Sequence, residues 1–103
     1  MGCMSVPIVI AQKALDTSQN CMEAAQKTEI CLRVLNYSPK ICTGPWKPGG
    51  KYHAWIEYSD SYGVIVLDPS ALTGTIEVYR EDLSPGYYLM KDKISLSTIT
   101  REK

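Results

Sequence analysis

At Pro39 the chain changes its periodicity, and that change limits the architectures open to it. Before the proline, Ala24, Ala25, Thr28, Cys31, Leu32 and Leu35 recur at the i, i+1, i+4, i+7, i+8, i+11 spacing of one helical face, while Glu23, Gln26, Lys27 and Arg33 fall mostly off it. Asn20, with Glu23 three residues later, has the form of a capping box with Asn as the cap. A helix from about Cys21 to Leu35 follows, with Cys31 on its buried face. It must end before Pro39, because a residue preceding proline is pushed out of the α region. The apolar lead-in Val6 to Leu15 fits a helix or a strand equally well.

After Pro39 the runs are short and strand-like. Lys40 to Thr43 reads as a strand, and Gly44-Pro45 with Pro48-Gly49-Gly50 reads as a loop around Trp46. His53 to Tyr58 and Tyr62 to Leu67 read as a hairpin across Ser59-Asp60-Ser61. Thr75 to Tyr79, Tyr87 to Met90 and Ile94 to Thr100 are further strands, divided by Ser84-Pro85-Gly86 and Lys91-Asp92-Lys93. One helix followed by four or five antiparallel strands is an α+β domain. With 103 residues and no linker, a single domain over 1–103 is expected.

Composition narrows the function. Eleven Lys and Arg balance eleven Asp and Glu with no basic run, which argues against nucleic-acid binding. The longest apolar stretch, Val6 to Ala11, contains a proline and is too short to span a bilayer, so no membrane role is expected. Seven Tyr and two Trp are too much apolar surface for a disordered chain. Nothing at the N-terminus has the pattern of an export signal, so a cytoplasmic protein with free thiols at Cys3, Cys21, Cys31 and Cys42 is expected. The Met-Gly start is read as an ordinary one, since Val6 holds the Ser/Thr position of a myristoylation signal.

The reactive side chains then fall into one set. Cys21 opens the helix, where unpaired amides and the helix dipole favour a thiolate. A hairpin turn centred between Asp60 and Ser61 places His53, the only histidine, directly opposite Asp68. Opposite residues share a face with Cβ atoms roughly 4.5–5.5 Å apart, within reach of a carboxylate–imidazole hydrogen bond. A helix-start cysteine facing that hairpin completes a Cys-His-Asp arrangement.

His-Ala-Trp-Ile-Glu (His53 to Glu57) followed by Val-Leu-Asp-Pro-Ser (Val66 to Ser70) resembles the His/Asp half of the transglutaminase-like cysteine-enzyme core, papain-like in the broad sense. The fifteen-residue spacing from His53 to Asp68 resembles it too, as does a helix opened by Asn-Cys-Met-Glu (Asn20 to Glu23). Leu35 to Pro39 stands where relatives have a Leu-Gly-Ile-Pro-like turn, and Lys40 to Gly44 resembles their strand before the histidine loop. The resemblance covers about half the chain, Cys21 to Ser70. Asn36 replaces the usual Gly, which Asn tolerates because it also enters left-handed backbone. No aromatic precedes Asp68 by three to five residues, where Ile65, Val64 and Gly63 stand.

The resemblance implies a helix bearing the nucleophile packed on an antiparallel sheet. It also implies acyl transfer on a peptide or amide carbonyl: Cys21 attacks, His53 acts as base and then acid, and Asp68 orients the imidazole. Hydrolysis is favoured over cross-linking, because excluding water needs walls that a small domain hardly has room to build. Relatives often carry an oxyanion-stabilising side chain well upstream of the nucleophile. Only twenty residues precede Cys21 here, so Gln12 and Gln19 are the nearest amides and the Cys21 backbone N–H is the remaining donor. Trp55 and Glu57 are read as architectural, with Trp55 covering the site; Trp46, Tyr87 and Tyr88 either line a substrate groove or fill the core. Cys42 is expected to pack in its strand. Neither metal nor organic cofactor is expected, since no Cys-x-x-Cys or His-x-x-x-His pair and no calcium-loop pattern occurs. Two alternatives stay open: a non-catalytic module of the same fold that binds a partner, and a leader-peptide-cleaving protease like those of bacterial lasso-peptide pathways. The expected partner is a peptide or protein substrate, and an exposed edge strand leaves a homodimer open.

Overall fold

A computed structural model describes residues 6–46, 51–70, 74–91 and 93–95, without the side chains of 46, 51 and 93–95. Two helices, α1 (Val6–Asp16) and α2 (Cys21–Val34), precede strands β1 (Lys40–Trp46), β2 (Lys51–Asp60), β3 (Gly63–Ser70), β4 (Thr75–Arg80) and the short β5 (Lys93–Ser95). The strands form one antiparallel sheet in the order β4-β3-β2-β1-β5. The α+β class expected from the sequence is therefore present. The ambiguous lead-in is a helix, with Pro7, Ala11, Ala14 and Leu15 buried.

Both helices pack on one face of the sheet. Ala11, Ala25 and Leu32 meet Ile41, Ala54, Ile56 and Leu67 there in one buried cluster. Local chemistry sets both ends of α2. At its start the Asn20 side chain accepts the Glu23 N–H at 2.8 Å, while Glu23 Oε1 accepts from the Gln19 N–H at 2.8 Å. The reciprocal half of the box thus lands one residue earlier than the standard pattern. At its end Asn36 sits in the left-handed region at φ 69°. The Tyr37 N–H reaches Leu32 O and the Asn36 N–H reaches Arg33 O, both at 3.0 Å. This is the Schellman stop, for which Asn serves nearly as well as Gly. Ser38 leaves the right-handed helix as expected, but into the left-handed region at φ 55°.

Three expectations need correction. Cys31 is exposed, and Leu35 is 51% exposed. The buried stripe of α2 is Ala24, Ala25, Thr28, Glu29 and Leu32, so the helix is rotated to bury Glu29, whose Oε2 accepts from Arg33 at 3.1 Å. Cys31 instead borders a shallow groove with Ile10, Lys13 and Ala14 of α1. Second, β1 runs on through Gly44-Pro45 to Trp46, paired with Lys51. Third, Tyr87 to Met90 is no strand but part of a 3₁₀ turn, Gly86–Met90. The sheet order explains it: β4 and β5 sit at opposite edges, so residues 81–91 cross the face away from the helices. A segment crossing a sheet cannot also pair within it. Beyond Ser95, the expected strand to Thr100 lies outside the described residues.

Candidate active site

The turn between β2 and β3 has Ser61 and Tyr62 at its tip, with Asp60 opposite Gly63. Asp60 Oδ1 accepts the Tyr62 N–H at 2.8 Å, and Arg80 holds the same carboxylate through two bonds of 2.8 and 2.7 Å. This tip lies one residue later than expected, so strand partners slide by two, Glu57 facing Val66 and Ile56 facing Leu67. The paired ladder ends there, and His53 and Asp68 lie just beyond it rather than as a directly opposed pair. A slip of one residue would have sent every side chain to the other face; a slip of two leaves each where it was.

The two side chains therefore still meet. His53 Nε2 is 2.8 Å from Asp68 Oδ1 and 3.0 Å from Oδ2, and both residues are buried. With the Nε2 proton directed at the carboxylate, Nδ1 is the nitrogen left to exchange a proton with a thiol. Cys21, the first residue of α2, is half-buried against the helix-side core. Its interaction with the His53 imidazole lowers the thiol below its ordinary 9.0, against the opposing effect of burial, and the Ala54 backbone N–H adds to the lowering. Burial works against charging the His53 ring, but its bonds to Asp68 and Cys21 prevail and hold it up at about 9. Helix tip, strand start and strand end thus bring thiol, imidazole and carboxylate together, the last two joined by hydrogen bonds. Such a set can generate a nucleophile and then deliver a proton to a leaving group.

The remaining expected site residues are placed differently. Trp55 is fully buried on the sheet face away from the helices, its ring centroid 6.2 Å from that of His53. Its Nε1 donates to Glu57 Oε2 at 3.0 Å, and Lys91 Nζ lies 3.4 Å from the same oxygen. Trp55 is a floor beneath the imidazole, not a cover against solvent. The Trp46 side chain lies outside the described residues. Gln12 is exposed on α1 and its amide donates to Asp16 at 2.9 Å. Gln19 is exposed ahead of the cap, and among the described residues no hydrogen bond joins either glutamine to Cys21. Cys42 behaves oppositely to Cys21: buried in β1 across from Trp55, its thiol is pushed up to about 12 by burial and by Glu57. Cys3 lies outside the described residues.

One residue at this site has no sequence signal for it. Tyr88, fully buried in the 3₁₀ turn, donates its hydroxyl to Asp68 Oδ2 at 2.5 Å. It packs edge-on against Trp55 with ring centroids 5.1 Å apart. Its neighbour Tyr87 stacks on it at 4.6 Å, so this pair belongs to the buried layer rather than to an open groove.

Among the described residues, no group of three or more His, Cys, Asp or Glu is arranged to hold a metal ion. No described helix is long and apolar enough to cross a membrane. No protein-family model matches the chain, and searches of curated proteins and of solved structures find no match.

Proposed function

We propose that the chain is a cysteine-dependent hydrolase of peptide or amide bonds with a transglutaminase-like core, using Cys21, His53 and Asp68. The observation that carries this reading is the buried His53–Asp68 hydrogen bond beside the helix-start Cys21, with Cys21 lowered by His53 and His53 raised by Asp68 and then by Cys21. The Cys21 thiolate attacks the carbonyl carbon, and the oxyanion forms beside the Cys21 backbone N–H, a first-turn amide of α2. Imidazolium then gives its proton to the leaving nitrogen as the C–N bond breaks, leaving a thioester. His53 takes a proton from water as the water oxygen attacks the thioester. The acid departs and the thiolate is restored, so each cycle consumes one water. Throughout, Asp68 keeps the ring turned towards the thiol and stabilises the imidazolium. Hydrolysis is favoured over transfer to an amine because Cys21 is only half-buried and water reaches it.

The test is the pH dependence of Cys21 alkylation by iodoacetamide in wild type and in His53→Ala, followed residue by residue by peptide mass mapping because Cys31 is also exposed. The reading expects a midpoint below 9.0 in wild type and a return to the ordinary thiol range in His53→Ala. An ordinary profile in both proteins would sink it and leave a binding module as the better account.

A further inference from the structure

Three tyrosines gather over Asp68 on the sheet face turned away from the helices. Tyr88 bonds Asp68 directly, Tyr87 stacks on Tyr88, and Tyr79 packs 5.7 Å from it. Tyr79 in turn donates to Glu77 Oε1 at 2.6 Å. Glu77 is the residue directly opposite Asp68 in the β3–β4 register. Cross-strand neighbours of this kind have Cβ atoms roughly 4.5–5.5 Å apart, and like charges there repel. Two carboxylates therefore sit side by side on one face, each held by a phenol.

We infer that Tyr88 is a positioning residue for this site: its hydroxyl anchors the Asp68 carboxylate in line with His53 and limits the carboxylate's pull on the imidazole proton. The inference rests on the Cys21–His53–Asp68 reading. Tyr88 is fully buried behind Asp68 and touches no space a substrate would enter, so it acts only through the carboxylate. Packing alone does not explain the hydroxyl, since a phenylalanine would fill the same place against Trp55. Burial and the Asp68 charge hold the phenol far above its ordinary value, so the shared proton stays on Tyr88 and the bond is a donation to the carboxylate. A carboxylate that serves two donors attracts each less strongly than it would a single one. Tyr88 thereby tempers the imidazole so that it can release its proton to a leaving amine. The groups acting on this pair are Glu77 and Tyr79 from β4, Tyr87 and Tyr88 from the 3₁₀ turn, and Cys21 from α2. On the far side of Trp55 lies the Glu57–Lys91–Glu81 set.

The single histidine makes the test direct, because imidazole NMR signals in this chain belong to His53 alone. Tyr88→Phe keeps the ring and removes only the hydroxyl. His53 is expected to hold its proton to higher pH in the variant, with the midpoint raised by about one pH unit. An unchanged or lowered midpoint in a variant with wild-type near-UV circular dichroism would overturn the inference, since a purely structural tyrosine would leave it unmoved. Should Tyr88→Phe not fold, the wild-type protein still decides. The Tyr88 hydroxyl proton must give a slowly exchanging low-field signal that shifts as His53 titrates, and a signal absent or indifferent to that titration overturns the claim. Neither readout uses alkylation, so failure here is distinct from failure of the proposed hydrolase chemistry.

Discussion

Replacing Asp68 with asparagine removes one charge from the buried series while changing the side chain's volume very little. The carboxylate now accepts His53 Nε2 at 2.8 and 3.0 Å and the Tyr88 hydroxyl at 2.5 Å. An amide has a single oxygen to offer those two donors, and no negative charge. In wild type the imidazole is raised from its ordinary 6.5 to about 9, against the opposing effect of its own burial. That rise is roughly a 300-fold preference for the protonated ring. Without Asp68 only Cys21 is left to offset the ring's burial, so the imidazole holds its proton less well and the thiolate loses its cationic partner; the direct Asp68 charge, which raises the thiol, is lost too and offsets part of this. A thiol with the ordinary 9.0 is about one-hundredth ionised at pH 7, which caps the loss of reactivity at about 100-fold. Thiolates of lower pKa are individually weaker nucleophiles, which narrows the gap. Iodoacetamide alkylation of Cys21 at pH 7 should therefore slow in Asp68→Asn, by no more than about 100-fold, with the profile moved towards that of a free thiol. The assay is the alkylation rate from mass mapping, with circular dichroism to establish that the variant is folded. A folded variant alkylated within twofold of the wild-type rate would mean that the Asp68 charge does not reach the thiol, and the relay reading would fail.

Gly44→Ala should loosen the cover of the site, because a Cβ there would meet Lys91 Cα at 3.0 Å, Met90 O at 3.2 Å and the Trp55 ring at 3.3 Å. Overpacking against backbone costs about 1–3 kcal/mol, read as a lower urea midpoint; wild-type stability would show that the 3₁₀ turn does not pack there. Leu32→Ala, at the centre of the helix–sheet core, should cost about 2–5 kcal/mol, and a loss under 1 kcal/mol would contradict that packing. The pH dependence of stability carries two opposed contributions. His53, raised when folded, stabilises fully below 6.5 and less as pH rises through about 9, whereas the lowered Cys21 stabilises above 9.0 and less as pH falls through its folded value. The two offset each other in wild type. In Cys21→Ser only the histidine contribution remains, so the urea midpoint should fall as pH is raised from about 6 to about 9; a midpoint that rises would refute the assignment.

Much of this site can be read from local chemistry. Asn20 and Glu23 mark the start of α2 and so put Cys21 at a helix tip, because a cap is satisfied by residues three or four apart whatever the rest of the chain does. Asn36 marks the other end for the same reason. His53 and Asp68 share a face through the period of two, which survives the two-residue difference in register between the expected and observed hairpin.

What no short-range pattern carries is how elements lie over one another. The rotation of α2 exposes Cys31 and buries Glu29, since the i and i+1 choices differ little in periodicity and only the facing sheet and α1 decide between them. β1 continues through Pro45 because β2 is there to pair with it. Tyr88 is twenty residues from Asp68 and reaches it only because the chain must cross the sheet face between edge strands β4 and β5. The residue types of the site and the faces they occupy are thus properties of the sequence. The second donor on the aspartate, the burial of His53 and Asp68 and the floor beneath the imidazole exist only once distant segments have packed, because each depends on contacts between residues that carry no mutual signal along the chain.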